Sequence, residues 1–408
     1  MKKLLSLVSL LLCVLILAGC TSVVAESNDL MNGVKAKSVS TKNADNEFLS
    51  SQYTFCVELF KNTYMAAKGK NTLVSPLSVM LALSMTANGA DNETLSEMEE
   101  VLGQNIPIDS LNEYLKGYTS KLANDEGGSL KIANSIWFRN IEGFTVKPDF
   151  LQKNANFYSA AAYKAPFDNS TVNEINDWVK KNTDGMIKEI IDEIRDETMM
   201  YLINALCFKG EWERIYETGD IIKRPFTDIS GESRKTEMMC HFESDYLEDD
   251  SSKGFIKYYK GRKYAFAAIL PDGNIEDYIS SLSAEKISRL LAGQTPANVY
   301  TELPKFSYEY SANLNDTLGH MGIKKAFDPK ESDLGKISDT KLYISNVIHK
   351  TFIKVDERGT EAGAVTMIAA DGSAMMETKE VILDRPFLYM IIDTDANLPI
   401  FIGAVTEI

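Results

Sequence analysis

One segment near the C-terminus reads both as a loop and as a strand, and it constrains the fold more than any other feature. A strand ending in Lys354-Val355 is followed by Asp356-Glu357-Arg358-Gly359 and then Thr360-Glu361-Ala362-Gly363-Ala364-Val365-Thr366. From there to Lys379, small residues are common and large ones few. In an extended chain alternate residues share a face. Here that face holds Thr360, Ala362, Ala364, Thr366, Ile368 and Ala370, all uncharged and most of them small. The opposite face carries Glu361 and Asp371, which tolerate water. Such a stretch can remain outside as a loop or slide between two strands as a further one. A flexible Ala/Gly-rich loop with accidental alternation is the alternative that pattern alone leaves open.

The rest of the body supplies strands to receive it. Leu49, Tyr53, Cys56 and Phe60 recur at helical spacing and predict one buried stripe. Ser75-Pro76 suits an N-cap followed by the first helical position, with Val79, Ala82, Leu83 and Thr86 on the inner face. Thr94-Leu95-Ser96-Glu97 has the form of a capping box, and Gly103 stops that helix. Val172 to Ile191 predicts a helix carrying Trp178. Ile132–Phe138, Tyr201–Phe208, Ala265–Leu270, Val347–Val355, Pro386–Ile392 and Ile400–Val405 predict strands, with a turn over Asp393–Asn397. Helices come first and strands later, with no clean linker after residue 46. That order predicts one large α+β domain over residues 47–408.

The first residues look like an address. Lys2 and Lys3 precede an apolar run from Leu4 to Ala18, too short for a comfortable membrane span. It ends in Leu17-Ala18-Gly19-Cys20, small residues before a cysteine, similar to the lipobox of bacterial lipoproteins. The expectation is a signal peptide over 1–19, lipid on Cys20, and export to the outer face of a bacterial membrane or cell surface. An ordinary signal peptide cut nearby is the alternative. Two acyl chains suffice for stable anchoring. Residues 20–46, rich in Ser, Asn, Lys and Ala, predict a flexible tether. Cys56, Cys207 and Cys240 remain, an odd number, which predicts buried thiols rather than a disulfide framework.

Composition narrows function by exclusion. The chain carries 43 basic and 58 acidic residues, a net charge of −15, which disfavours nucleic acid and an anionic membrane as partners of the folded body. Only three histidines are present, His241, His320 and His349, and there is no CxxC, HExxH, GxSxG, P-loop or GxGxxG. Neither a metal, a cofactor nor an enzyme activity is expected.

Several separated motifs together resemble the serpin family, over nearly all of residues 47–408. They are Asn71-x-x-x-Ser75-Pro76-x-Ser78 with Ala82-Leu83 and Gly89-Ala90, and Asn204-Ala205-x-x-Phe208-Lys209-Gly210-x-Trp212. Further ones are Leu303-Pro304-Lys305-Phe306, His349-Lys350, Glu357-x-Gly359-Thr360-Glu361-Ala362, Pro386-Phe387-Leu388 and Phe401-Ile402-Gly403. The resemblance implies three β-sheets, eight or nine helices and an exposed reactive loop. It implies a suicide substrate: a protease attacks the loop, and the cut loop inserts into the central sheet and traps the acyl-enzyme. Insertion of this kind is a standard instance of strand addition and of released strain.

The same resemblance places the hinge at Glu357, Gly359, Thr360, Glu361, Ala362, Gly363, Ala364, Val365 and Thr366, whose small residues resemble the inhibitory class. It places a sheet-opening cluster at Ser75, Ser78, Asn204 and His349, and an insertion point at Trp212, Lys305 and Glu357, with Lys305 and Glu357 ion-paired. Taken alone, the same residues are an N-cap (Ser75), a helix surface (Ser78) and satisfied core groups (Asn204, His349). Cys207 departs from the aromatic residue usual before Phe208. The loop is also about two residues longer than usual, so the scissile bond is open between two counts. Counting forward from Glu357 gives Ser373-Ala374; counting back from Pro386 gives Met375-Met376. No Arg or Lys lies between Gly359 and Thr378, so an elastase- or chymotrypsin-like serine protease is the expected partner, with some papain-like cysteine proteases also able to cut. The chain is expected to be a monomer. The runner-up function is a non-inhibitory serpin-fold binding protein.

Overall fold

The local signals at the start of the body hold wherever a backbone donor has no nearer acceptor. The computed structural model describes residues 27–122, 128–360 and 378–408. Helix α1 (Asn46–Ala67) is capped by Asp45 and buries Tyr53, Cys56 and Phe60. Strand β2 (Thr72–Val74) leads into α2 (Pro76–Ala87), whose N-cap is Ser75, as the Ser-Pro pair predicts. All twelve residues of α2 are buried, because sheets and helices enclose it on every side.

Two local expectations give way to stronger competitors. Helix α3 (Asn92–Gly103) starts before the Thr94 capping box, since Asp91 already serves as N-cap. Glu97 instead accepts from the Lys324 and Lys325 amides at 2.8 and 2.7 Å. Helix α4 spans Ile108–Thr119 and α5 Pro148–Tyr158. Helix α6 (Asn169–Asn182) ends well short of Ile191. Asp184 and Gly185 there adopt positive φ, 51° and 78°, which no helix continues.

Strands β1 (Asn28–Asp29), β3 (Gly128–Arg139), β4 (Ala161–Ala165), β5 (Met200–Glu211), β11 (Phe306–Asn313), β12 (Asn346–Asp356) and β13 (Gly359–Thr360) form a seven-stranded sheet. Its order is β1-β4-β3-β5-β13-β12-β11. A nine-stranded network holds β2, β6 (Ile221–Thr227), β7 (Ser233–Asp249), β8 (Ser252–Tyr258), β9 (Tyr264–Pro271), β10 (Thr295–Pro304), β14 (Thr378–Ile382), β15 (Phe387–Asp393) and β16 (Leu398–Val405). The three sheets expected thus appear as two hydrogen-bonded networks. The reason is the 17-residue β7. It pairs with β6 and β10 along most of its length and with β8 near its end, so the second and third sheets run into each other. Helices α7 (Ile275–Ser280), α8 (Ala284–Ala292) and α9 (Asn315–Met321) complete the fold.

The expected flexible tether is, from residue 28 to 45, laid along the body. Asn28 and Asp29 pair with Lys164 and Tyr163 at the edge of the seven-stranded sheet. Leu30, Met31, Val34 and Ala44 pack on the core. The Lys42 amide donates to the Glu113 carbonyl at 3.1 Å. Its own carbonyl passes so close to α4 that a Cβ at Gly117 would meet it at 2.0 Å. Residues 28–45 are therefore packed on the body over much of their length. Among the described residues no helix is long and apolar enough to cross a membrane. Cys56, Cys207 and Cys240 form no disulfide; the first two are buried and Cys240 is partly exposed.

Candidate functional site: the slot in the seven-stranded sheet

Strands β5 and β12 are parallel neighbours over Tyr201–Leu206 and Asn346–Thr351. Toward their other ends β13 stands between them. Thr360 pairs with Val355 and with Gly210, and Gly359 with Asp356 and Glu211. The sheet is thus closed at one end and holds the first two residues of an added strand at the other.

The closed end is held by the polar cluster expected from the resemblance. His349 on β12 sits opposite Asn204 on β5 in the parallel register. The Ser75 amide donates to His349 Nε2 at 3.2 Å. Nε2 is therefore the bare nitrogen, and Nδ1–H donates to Asn204 Oδ1. Asn204 Nδ2 donates to the Ser78 hydroxyl and, at 2.6 Å, to Asn134 Oδ1. Ser75 Oγ donates to the Ile400 carbonyl at 2.9 Å. Ser75, Ser78, Asn204 and His349 are all fully buried, so Ser78 belongs to the core and not to a helix surface. Burial lowers the His349 pKa to about 3 and keeps the ring neutral. One cluster thus ties β5, β12, β3 and the start of α2 together. Asn134, directly across from Asn204 on β3, is a member that sequence reading missed. Its only signal was a lone amide inside an apolar strand.

The open end is built from backbone. Trp212 donates from Nε1 to the Asp356 carbonyl and from its amide to the Arg358 carbonyl, both at 2.9 Å. The Tyr216 amide donates to the Glu357 carbonyl at 2.8 Å. Lys305 Nζ lies 2.9 Å from Glu357 and 3.1 Å from Glu237. The Lys305 hydrogen bond holds the Glu357 carboxyl below its ordinary pKa. Gly359 and Gly210 face each other too closely for side chains: a Cβ on Gly359 would lie 1.9 Å from the Gly210 oxygen. Trp212 stacks on Tyr259 with centroids 4.5 Å apart, and Tyr259 meets the Thr360 hydroxyl at 2.6 Å. Beneath them the buried Lys257 pairs with Glu243 at 2.8 Å and lies 4.3 Å from the Tyr216 ring centre. Tyr259 and Lys257 carried no motif and were not singled out in the sequence.

The structure therefore brings Ser75, Ser78, Asn204 and His349 to one point, and Trp212, Lys305, Glu357, Gly359 and Thr360 to another. Glu361, Ala362, Gly363, Ala364, Val365, Thr366, Ser373, Ala374, Met375, Met376 and Cys20 lie outside the described residues.

A seven-stranded sheet with an added strand begun at one end, beside a nine-stranded network, defines the class. The family model described as Serpin (serine protease inhibitor) matches residues 50–408. The chain belongs to the serpin family. It is 47% identical to tengpin, a thermophilic serpin, in the crystal structure of its native state. That match covers 94% of this chain and 100% of the crystallised chain, with a TM-score of 0.90. Against tengpin in the latent state the TM-score is 0.80, with 45% identity, covering 90% of this chain and 100% of the crystallised chain. Leukocyte elastase inhibitor A of Mus musculus is 30% identical, covering 88% of this chain and 99% of that protein.

Proposed function

We propose that the chain is an irreversible suicide-substrate inhibitor of serine proteases of elastase- or chymotrypsin-like specificity, displayed on a bacterial surface through lipid on Cys20. The observation that supports it best is the position of Gly359–Thr360 between β5 and β12. A cleaved loop entering from there meets a slot whose walls are already strands. Each ladder hydrogen bond gained is worth roughly 1 kcal/mol net, and a full strand of them can drive the distortion of a bound protease. The native form is then a kinetic and not an equilibrium minimum. Ala362, Ala364 and Thr366 are small enough to pass under the sheet, which favours inhibition over the non-inhibitory binding protein.

The absence of Arg and Lys between Gly359 and Thr378 supports an apolar specificity pocket in the target, and the name of the mouse relative agrees. Incubation with pancreatic elastase and with trypsin, followed by boiling in detergent, tests the proposal. An adduct surviving with elastase is expected, releasing a C-terminal fragment that begins at Ala374. A start at Met376 would move the bond to the backward count, and cleavage without any adduct would refute the proposal.

A further inference from the structure

We propose that Tyr259 is a positioning residue for loop insertion, its phenol holding Thr360 in the mouth of the sheet so that insertion starts from a strand already begun. The proposal rests on the inhibitory reading above.

Thr360 is the last described residue before the loop, and it is buried. Its Oγ1 and the Tyr259 hydroxyl are 2.6 Å apart. Among the described residues neither hydroxyl has another hydrogen bond. The phenol is rigidly mounted. Its ring is stacked on Trp212, with an interplanar angle of 16°, and is met edge-on by Phe208 at 4.8 Å. The Tyr259 amide donates to the Tyr264 carbonyl at 3.1 Å, and its backbone bridges to Trp212. Tyr259 thus belongs to the turn between β8 and β9 in the nine-stranded network, while Thr360 belongs to the slot of the other sheet. A side chain fixed in one sheet holds the hinge of the other.

Beginning a strand fixes backbone dihedrals before bonds are returned, which makes the first residues the costly ones. With Gly359 and Thr360 already paired, that step is complete before a protease arrives. Insertion races against deacylation, so whatever holds Thr360 sets how many encounters end in trapping.

Tyr259→Phe and Thr360→Val each delete one hydroxyl and keep the shape. Each is expected to slow insertion about fivefold, the share of one buried hydrogen bond, and to raise the number of inhibitor molecules consumed per protease trapped. The double variant should be no worse than either single one. Hydrogen exchange of the Gly359 and Thr360 amides in the uncleaved protein gives a readout that needs no protease. It should quicken about fivefold in Tyr259→Phe, with Leu202 and Ile348 at the closed end unchanged. Unchanged exchange at Thr360, or additive losses in the double variant, would overturn the latch alone. Wild-type protein that traps no protease would overturn the inhibitory reading and the latch's role with it.

Discussion

His349 and Asn204 face each other across two parallel strands, and the imidazole Nδ1–H donates to the amide oxygen two residues before those strands part. The strands must separate here for a further strand to run their full length. The bond therefore stands on the path of the proposed insertion, and its strength depends on the protonation of a single ring.

That dependence has a definite sign. His349 has a pKa of about 3 in the folded protein, against 6.5 for the ordinary side chain. Between those values the unfolded chain binds a proton that the folded one refuses, so stability falls as pH drops from about 6.5. The share of one group is about 1.4 kcal/mol per pH unit. His241, lowered chiefly by burial, acts in the same direction. Denaturant melts of wild type and His349→Gln between pH 7 and pH 4 should show a shallower slope in the variant. Equal slopes would remove His349 from this role.

The Lys305–Glu357 pair is half exposed, at 25% and 43%. Solvent screening limits its worth to about 1 kcal/mol or less. Glu357→Gln should lower stability by that amount at low salt, and the difference should shrink at 1 M salt. Because the folded Glu357 pKa is depressed, the pair's contribution is present above the ordinary carboxylate value and lost as pH falls below it. A loss of several kcal/mol would mean that Glu357 does more than pair with Lys305.

Alternation in the hinge makes two neighbouring positions unequal. Ala362→Arg would carry an unpaired charge beneath the sheet, which costs several kcal/mol, and should turn the protein from inhibitor into substrate. Glu361→Arg, on the opposite face, should change the stoichiometry of inhibition far less. Equal loss at both positions would refute the alternation.

Gly117 leaves room for the N-terminal arm. Gly117→Ala would press a methyl group onto the Lys42 carbonyl, and relief requires the arm to lift. The expected cost is about 1–3 kcal/mol, with faster trypsin cleavage at Lys35 and Lys37. Unaltered stability and cleavage would show that the arm gives way without loss.

What could be read from the sequence was what short-range chemistry decides. Ser75-Pro76 starts α2 because the cap and its donor are three residues apart, and the apolar runs of β9, β15 and β16 lie where their composition puts them. Thr94 failed as a cap because Asp91 lay closer to the same helix end. The arm over residues 28–45 was illegible because Leu30, Met31 and Val34 are too few to show a period, and their partners are far along the chain. The two ends of the slot were found through resemblance and not through pattern. Asn134, Tyr259 and Lys257 escaped both, since each acquires its role only from partners on other strands and loops: Asn204, Thr360, and Glu243 with the Tyr216 ring.

In the proposed mechanism the native form is metastable and is completed by its own loop. Nicking within Gly372–Met376 by a protease that is not trapped, followed by a thermal melt of intact and nicked protein, tests this most directly. A large rise in Tm on nicking is expected, because the cut loop would fill the slot that Gly359 and Thr360 have begun. A nicked protein that melts at the same temperature as the intact one would contradict it.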